Sequence, residues 1–138
     1  MSTLYLVRGL PGSGKSTMAR MISDVHFEAD MYHMVGDKYV FVGENIKAAH
    51  EWCYQSTRIF LNRVAVVAVS NTFTTLKEMQ RYLDFQKDGH RIAVIRCTGE
   101  FGNIHNVPAD VMEKMKARFE DYPGELLYNG DAIMVNAA

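Results

Sequence analysis

The chain has 138 residues, with 15 Lys and Arg against 16 Asp and Glu, a net charge of −1, and 48% hydrophobic residues. That apolar share excludes a disordered chain, and the balanced charge excludes a polybasic binder held to its partner by net charge alone. The length suits one domain, so residues 1–138 are expected to fold as a single unit.

Strand-like and helix-like blocks alternate along the sequence. Leu4–Val7 is a short apolar run ending in Arg8-Gly9, the pattern of a buried strand followed by a loop. Lys15–Ser23 reads as a helix, with Met18, Ala19 and Ile22 on one face. Val25–Ala29 is a second strand candidate that runs up to Asp30. Gly36-Asp37 and Gly43 mark Met31–Gly43 as a loop with a small hairpin. Glu44–Arg63 is a long helix, and Val64–Val69 is the strongest strand, expected to be central and buried on both faces. Thr75 and Glu78 have capping-box spacing and open a helix that Gly89 ends. Ile92–Ile95 is a strand. Pro108 favours a first helical turn ahead of Val111, Met115 and Phe119, and Pro123-Gly124 stops that helix. Ala132–Val135 is the last strand. Strands joined by helical crossovers predict an α/β fold: a five-stranded parallel sheet with helices on both faces.

Cys53 and Cys97 are too few for a disulfide scaffold and lack metal-like spacing, so both are expected as buried thiols in a reducing compartment. The longest apolar run, Val64–Val69, is far short of a membrane span, and the first residues carry no charged leader ahead of a hydrophobic stretch. A cytoplasmic protein without membrane partners is the expectation.

Gly9-Leu10-Pro11-Gly12-Ser13-Gly14-Lys15-Ser16 matches G-x-x-x-x-G-K-[ST] in full, with a strand before it and a helix after it. This is the context of a P-loop in an NTPase. Its glycines let backbone N–H groups turn inward around a phosphate chain, at a helix N-terminus whose field favours anions. Gly12, Ser13, Gly14, Lys15, Ser16 and Thr17 form the candidate nucleoside-triphosphate segment. Lys15 would neutralise phosphate oxygens and Ser16 would place its hydroxyl on Mg²⁺. No Asn-Lys-x-Asp segment reads a guanine, which points to ATP rather than GTP. Asp30 follows the second strand and Ser70-Asn71-Thr72 follows the third, both at the rim where open α/β sheets build their sites. Asp30 is placed to accept a proton from an acceptor hydroxyl. Asn71 and Thr72 are candidate acceptor contacts, or else satisfy backbone groups at a strand end.

Gly9–Thr17, Asp30–His33, Ser70–Thr72, and Gly102 through Pro108 with its following helix together resemble the small P-loop kinases grouped with polynucleotide kinase. The resemblance covers nearly the whole chain. It implies transfer of the γ-phosphoryl group of ATP, with Mg²⁺, to a hydroxyl, with the 5′-OH of a nucleic acid or nucleotide as acceptor. Asp30 is similar to the family's general base. His33 stands where the phage-type enzyme has an arginine contacting the acceptor phosphate. The loop 99–107 is similar to the family's lid, but it carries His105 and no arginine, which leaves Arg96 and Arg118 as the nearest cations. A lid without arginine predicts slow or conditional transfer. His33, Asn71, Thr72, Arg96 and His105 are the candidate substrate residues. Two alternatives stay open: a kinase of a nucleoside or other small alcohol, and a nucleotide-binding module with weak ATPase activity serving a protein partner.

Overall fold

The computed structural model describes residues 1–35, 38–39, 45–102 and 107–135. In chain order, β1 (Thr3–Gly9) leads through the glycine-rich loop into α1 (Lys15–Ile22) and then β2 (His26–Phe27). A 3₁₀ turn, Ala29–His33, precedes a hairpin of β3 (Met34–Val35) and β4 (Lys38–Tyr39). α2 (Ile46–Phe60), β5 (Val66–Asn71), α3 (Leu76–Leu83) and β6 (Arg91–Cys97) follow. The chain continues through α4 (Ala109–Arg118), β7 (Leu126–Tyr128) and β8 (Ile133–Val135).

The main sheet has six strands in the order β2-β5-β1-β6-β7-β8. Five are parallel: Leu6 of β1 lies beside Val69 of β5 and Val94 of β6, Phe27 beside Val69, and Arg96 beside Leu127. Side chains alternate across the pleat, so each strand feeds two cores. Leu4, Leu6, Val67, Val69 and Val94 join Cys53 from α2 and Met79 and Tyr82 from α3 on one face. Val7, Ala68 and Ile95 join Met18 and Ala19 from α1 on the other. Helices therefore cover both faces, as expected for this α/β class.

The expectation of five all-parallel strands ending in Ala132–Val135 is corrected in two respects. The fifth parallel strand is β7, a three-residue segment that the sequence pattern passed over. The last strand, β8, runs antiparallel to β7 and forms the sheet edge. Four residues separate the two strands, too few for a crossover helix, which requires a dozen or more. Asn129 Oδ1 accepts hydrogen bonds from the Asp131 and Ala132 N–H groups and closes the tight turn, with Gly130 at φ 106°. β5 is hydrogen-bonded on both sides, but β1 and β6 lie nearer the middle of the sheet.

Candidate nucleotide-binding site

β1 runs buried through Arg8 and Gly9 and releases the chain into the loop at its C-terminal end. Gly12 and Gly14 have φ of 82° and 91°, which side chains resist. A Cβ on Gly12 would collide with the Gly102 carbonyl, and one on Gly14 would lie 3.0 Å from the Phe101 ring. The Phe101 N–H donates to the Gly12 carbonyl at 2.8 Å, so the segment after β6 rests on the glycine-rich loop.

Gly14 caps α1 without any side-chain acceptor, and the first helical turn carries no acid. The first intrahelical bond is from Met18 N–H to the Gly14 carbonyl, so the N–H groups of Lys15, Ser16 and Thr17 have no acceptor within the helix. The Ser13 hydroxyl is buried over Gly9 and has no hydrogen-bond partner among the described residues. Burial pushes the Lys15 ammonium below its ordinary pKa, opposed by the fields of Glu28 first and Asp30 second. A desolvated cation and a helix N-terminus without a side-chain cap form a cradle that suits a phosphate chain.

Two acids reach this cradle from the end of β2. Asp30 is half-buried in the 3₁₀ turn. Asn71, at the end of β5, holds that turn in place: its Oδ1 accepts from the Ala29 N–H at 2.9 Å, while its Nδ2 contacts Cys53 Sγ at 3.7 Å. Glu28 Oε2 accepts from the Ser16 hydroxyl at 2.6 Å and from the Ser70 hydroxyl at 2.8 Å. Buried His26 completes the cluster, with Nε2 2.8 Å from Ser70 Oγ and 3.7 Å from Glu28 Oε2. Burial lowers the His26 pKa, and Glu28 pulls against that shift.

The candidate residues distribute unevenly around the cradle. Gly12, Ser13, Gly14, Lys15, Ser16 and Asp30 converge on it, and Thr17 is exposed in the first turn of α1. The Thr72 carbonyl accepts from the Gly9 N–H at 3.3 Å, tying the end of β5 to the loop. The backbone of His33 closes the 3₁₀ turn three residues beyond Asp30. Arg96 pairs with Asp121 at 2.6 Å and stacks 4.3 Å from the Phe119 ring centroid, and it lines a cavity shared with Leu10 of the loop. Arg118 donates to Thr74 Oγ1 at 3.1 Å. His105 lies outside the described residues.

Two groups of polar residues escaped the sequence reading. Glu28 could have been flagged as an acid two positions before Asp30, at the same strand end. Arg8 is a charged residue inside a buried strand, which requires a partner; that partner, Glu125, is 117 positions away. A cavity of about 440 Å³ opens beside Asn71, where Tyr54, Phe73 and Tyr82 supply aromatic walls and Lys77, Arg81 and Glu78 supply charged groups of both signs, with Arg81 already paired to Glu51.

No family model matches the chain. NEDD4-binding protein 2 of Homo sapiens is 34% identical over 86 residues, which cover 58% of this chain and 5% of that protein. The chain therefore spans only about 5% of the length of this curated relative. A sugar kinase structure from Janibacter sp. superposes with a TM-score of 0.64 at 15% identity, over 94% of this chain and 86% of the other. The Pnkp1/Rnl/Hen1 RNA repair complex contains a chain with a TM-score of 0.57 at 20% identity, over 83% of this chain and 36% of that one. The six-stranded, largely parallel sheet, the helices on both its faces and these likenesses give the chain the α/β fold of P-loop NTPase kinases.

Proposed function

We propose that the chain is an ATP- and Mg²⁺-dependent kinase that transfers a phosphoryl group to a hydroxyl acceptor, with residues 1–138 acting as one catalytic domain. The observation that carries this reading is the placement of Asp30. It sits on a turn clamped by Asn71, and its field reaches Lys15. A site that only held nucleotide would not need a second acid at this rim.

Bound ATP would supply the transferable phosphoryl group, and Mg²⁺ would offset the charge on its oxygens. The N–H groups at the start of α1 would hold phosphate oxygens. Lys15 would neutralise them, and Ser16 would hold the metal. Asp30 would orient the acceptor hydroxyl and take its proton. Thr72, His33 and His105 are kept as candidate acceptor contacts; Asn71 would act by positioning the turn that carries Asp30.

A nucleic-acid 5′-OH is the favoured acceptor. The likeness to a chain of an RNA repair complex supports it, as do the motif stretches around Asp30 and Ser70–Thr72. The cavity beside Asn71 suits a planar group, because aromatic rings line it together with hydrogen-bonding side chains of both charges. A small alcohol is the second reading, supported by the likeness to a sugar kinase and by the −1 net charge. Two buried free thiols fit a reducing cytoplasmic setting. Among the described residues no helix is long and apolar enough to cross a membrane.

The test is transfer from labelled ATP to 5′-OH DNA, 5′-OH RNA, nucleosides and small alcohols. Labelled product that depends on Asp30 supports the kinase. Thermal stabilisation by ATP with no transfer to any acceptor would instead favour a binding module that serves a partner protein.

A further inference from the structure

P-loop NTPases hold their cation with the Ser or Thr of the loop together with an acid supplied by another segment. In this chain, parallel strands β1, β5 and β6 end in Arg8-Gly9, Ser70-Asn71 and Arg96-Cys97, none of which carries a carboxylate. The carboxylate that reaches Ser16 comes instead from Glu28, just past β2. We propose that Glu28 is the residue that sets the Ser16 hydroxyl for Mg²⁺, standing in from the edge strand for an acid that β5 lacks. The inference rests on the nucleotide-site reading above and names the residue that completes its metal site.

The hydroxyl chemistry explains why an acid is needed at this point. A serine hydroxyl has one proton to donate and two lone pairs to offer. To face a cation with a lone pair, it must send its proton elsewhere. Glu28 Oε2 receives that proton at 2.6 Å, a short charge-assisted bond that fixes the rotor. The carboxylate is itself fixed, because the Ser70 hydroxyl donates to the same oxygen at 2.8 Å and His26 backs Ser70 at 2.8 Å. The cluster thus joins the loop, the end of β2 and the end of β5, segments 12 and 42 residues from Glu28. Its negative charge also acts on Lys15, favouring the ammonium against the effect of burial. Glu28 is a positioning residue in this scheme: it acts on the metal through Ser16.

The experiment measures nucleotide affinity by displacement of a fluorescent ATP analogue, once in EDTA and once across a Mg²⁺ titration, for the wild type and Glu28→Gln. Glutamine keeps the size and removes the charge. Loss of a group that orients a metal ligand typically weakens metal affinity 10–100-fold. The Mg²⁺ concentration for half-maximal enhancement should therefore rise about tenfold or more, while affinity in EDTA stays within about threefold of wild type. A Glu28→Gln variant with an unchanged Mg²⁺ midpoint would overturn the proposal and leave the nucleotide site standing. A wild type whose nucleotide binding ignores Mg²⁺ would also overturn the proposal alone, whereas a wild type that does not bind the ATP analogue would overturn the nucleotide-site reading. Ser16→Ala supplies a second test: added to it, Glu28→Gln should shift the midpoint little further, and a full additive shift would refute action through Ser16. Melting without ligand checks that each variant is folded.

Discussion

The Arg8 guanidinium and the Glu125 carboxylate meet at 3.0 Å with both side chains 0% exposed, joining the end of β1 to the start of β7. Arg8 also donates to the carbonyls of Phe73 and Thr74, and Glu125 accepts from the Tyr122 N–H at 2.9 Å. The Phe119 ring is flanked by Arg8 at 4.4 Å and Arg96 at 4.3 Å. The pair thus fixes both the strand that feeds the glycine-rich loop and Phe73, a non-glycine residue held at φ 43°.

Removing one partner of such a pair leaves the other charge buried alone, which costs about 3–5 kcal/mol. Glu125→Ala should lower unfolding free energy in urea by that amount. Because Arg8 has carbonyl partners as well, Arg8→Met should cost at least as much, and the double variant less than the sum. Additive losses would show that the two side chains do not act as a pair.

ATP with Mg²⁺ should raise the melting temperature. Binding confined to the folded state contributes about 2.7 kcal/mol at a hundredfold excess over the dissociation constant. Lys15→Ala should remove most of the shift while leaving the unliganded melting point close to wild type. An unshifted melting curve for the wild type at millimolar ATP is the result that counts against a nucleotide site.

Asp30→Asn should cut single-turnover transfer by about 10²-fold or more and leave ATP affinity within a few-fold, since a general base contributes roughly 10²–10⁴-fold. Asn71→Ala removes the acceptor for the Ala29 N–H. It should slow transfer through a misplaced turn and lower stability by about 1–3 kcal/mol, the cost of an unsatisfied buried donor. Wild-type transfer rates in Asp30→Asn would remove Asp30 from the chemistry.

Burial pushes the Cys97 thiol up to about 11, with Lys15 pulling it back. Folded protein at pH 8 should therefore resist iodoacetamide at Cys97, and urea should restore labelling. The folded state holds this proton more tightly than the unfolded chain, whose thiol titrates near 8.5 in general. Its contribution to stability is thus complete below about pH 8.5 and declines as pH rises toward about 11. Cys97→Ala should lose less stability than wild type across that window in urea titrations; an identical decline would exclude the thiol as its source.

The glycine-rich loop between β1 and α1 was legible because its signal is contiguous. Glycines at fixed positions, a lysine, a serine and a following helix all fall within Gly9–Ile22, and each residue's backbone conformation is set locally. The capping spacing of Thr75 and Glu78 was likewise local, and the Glu78 N–H does donate to Thr75 Oγ1 at 3.3 Å. The Glu78 carboxylate departs from that pattern, accepting from the N–H and hydroxyl of Thr74 at 2.9 Å each.

The amino-acid order by itself determined the α/β class, the position of the glycine-rich loop and the strand ends that meet at one rim, because hydrophobic period and glycine placement act over a few residues. Tertiary structure decided the rest. β7 became the fifth parallel strand through its pairing with β6, since three residues carry too little periodicity to declare a strand. β8 turned back because four residues cannot span a crossover. Arg96 was drawn to Asp121 and Phe119, and Glu28 to Ser16 and Ser70, by proximities that exist only after the sheet has formed. Charges find partners by distance in space, and a sequence records only distance along the chain.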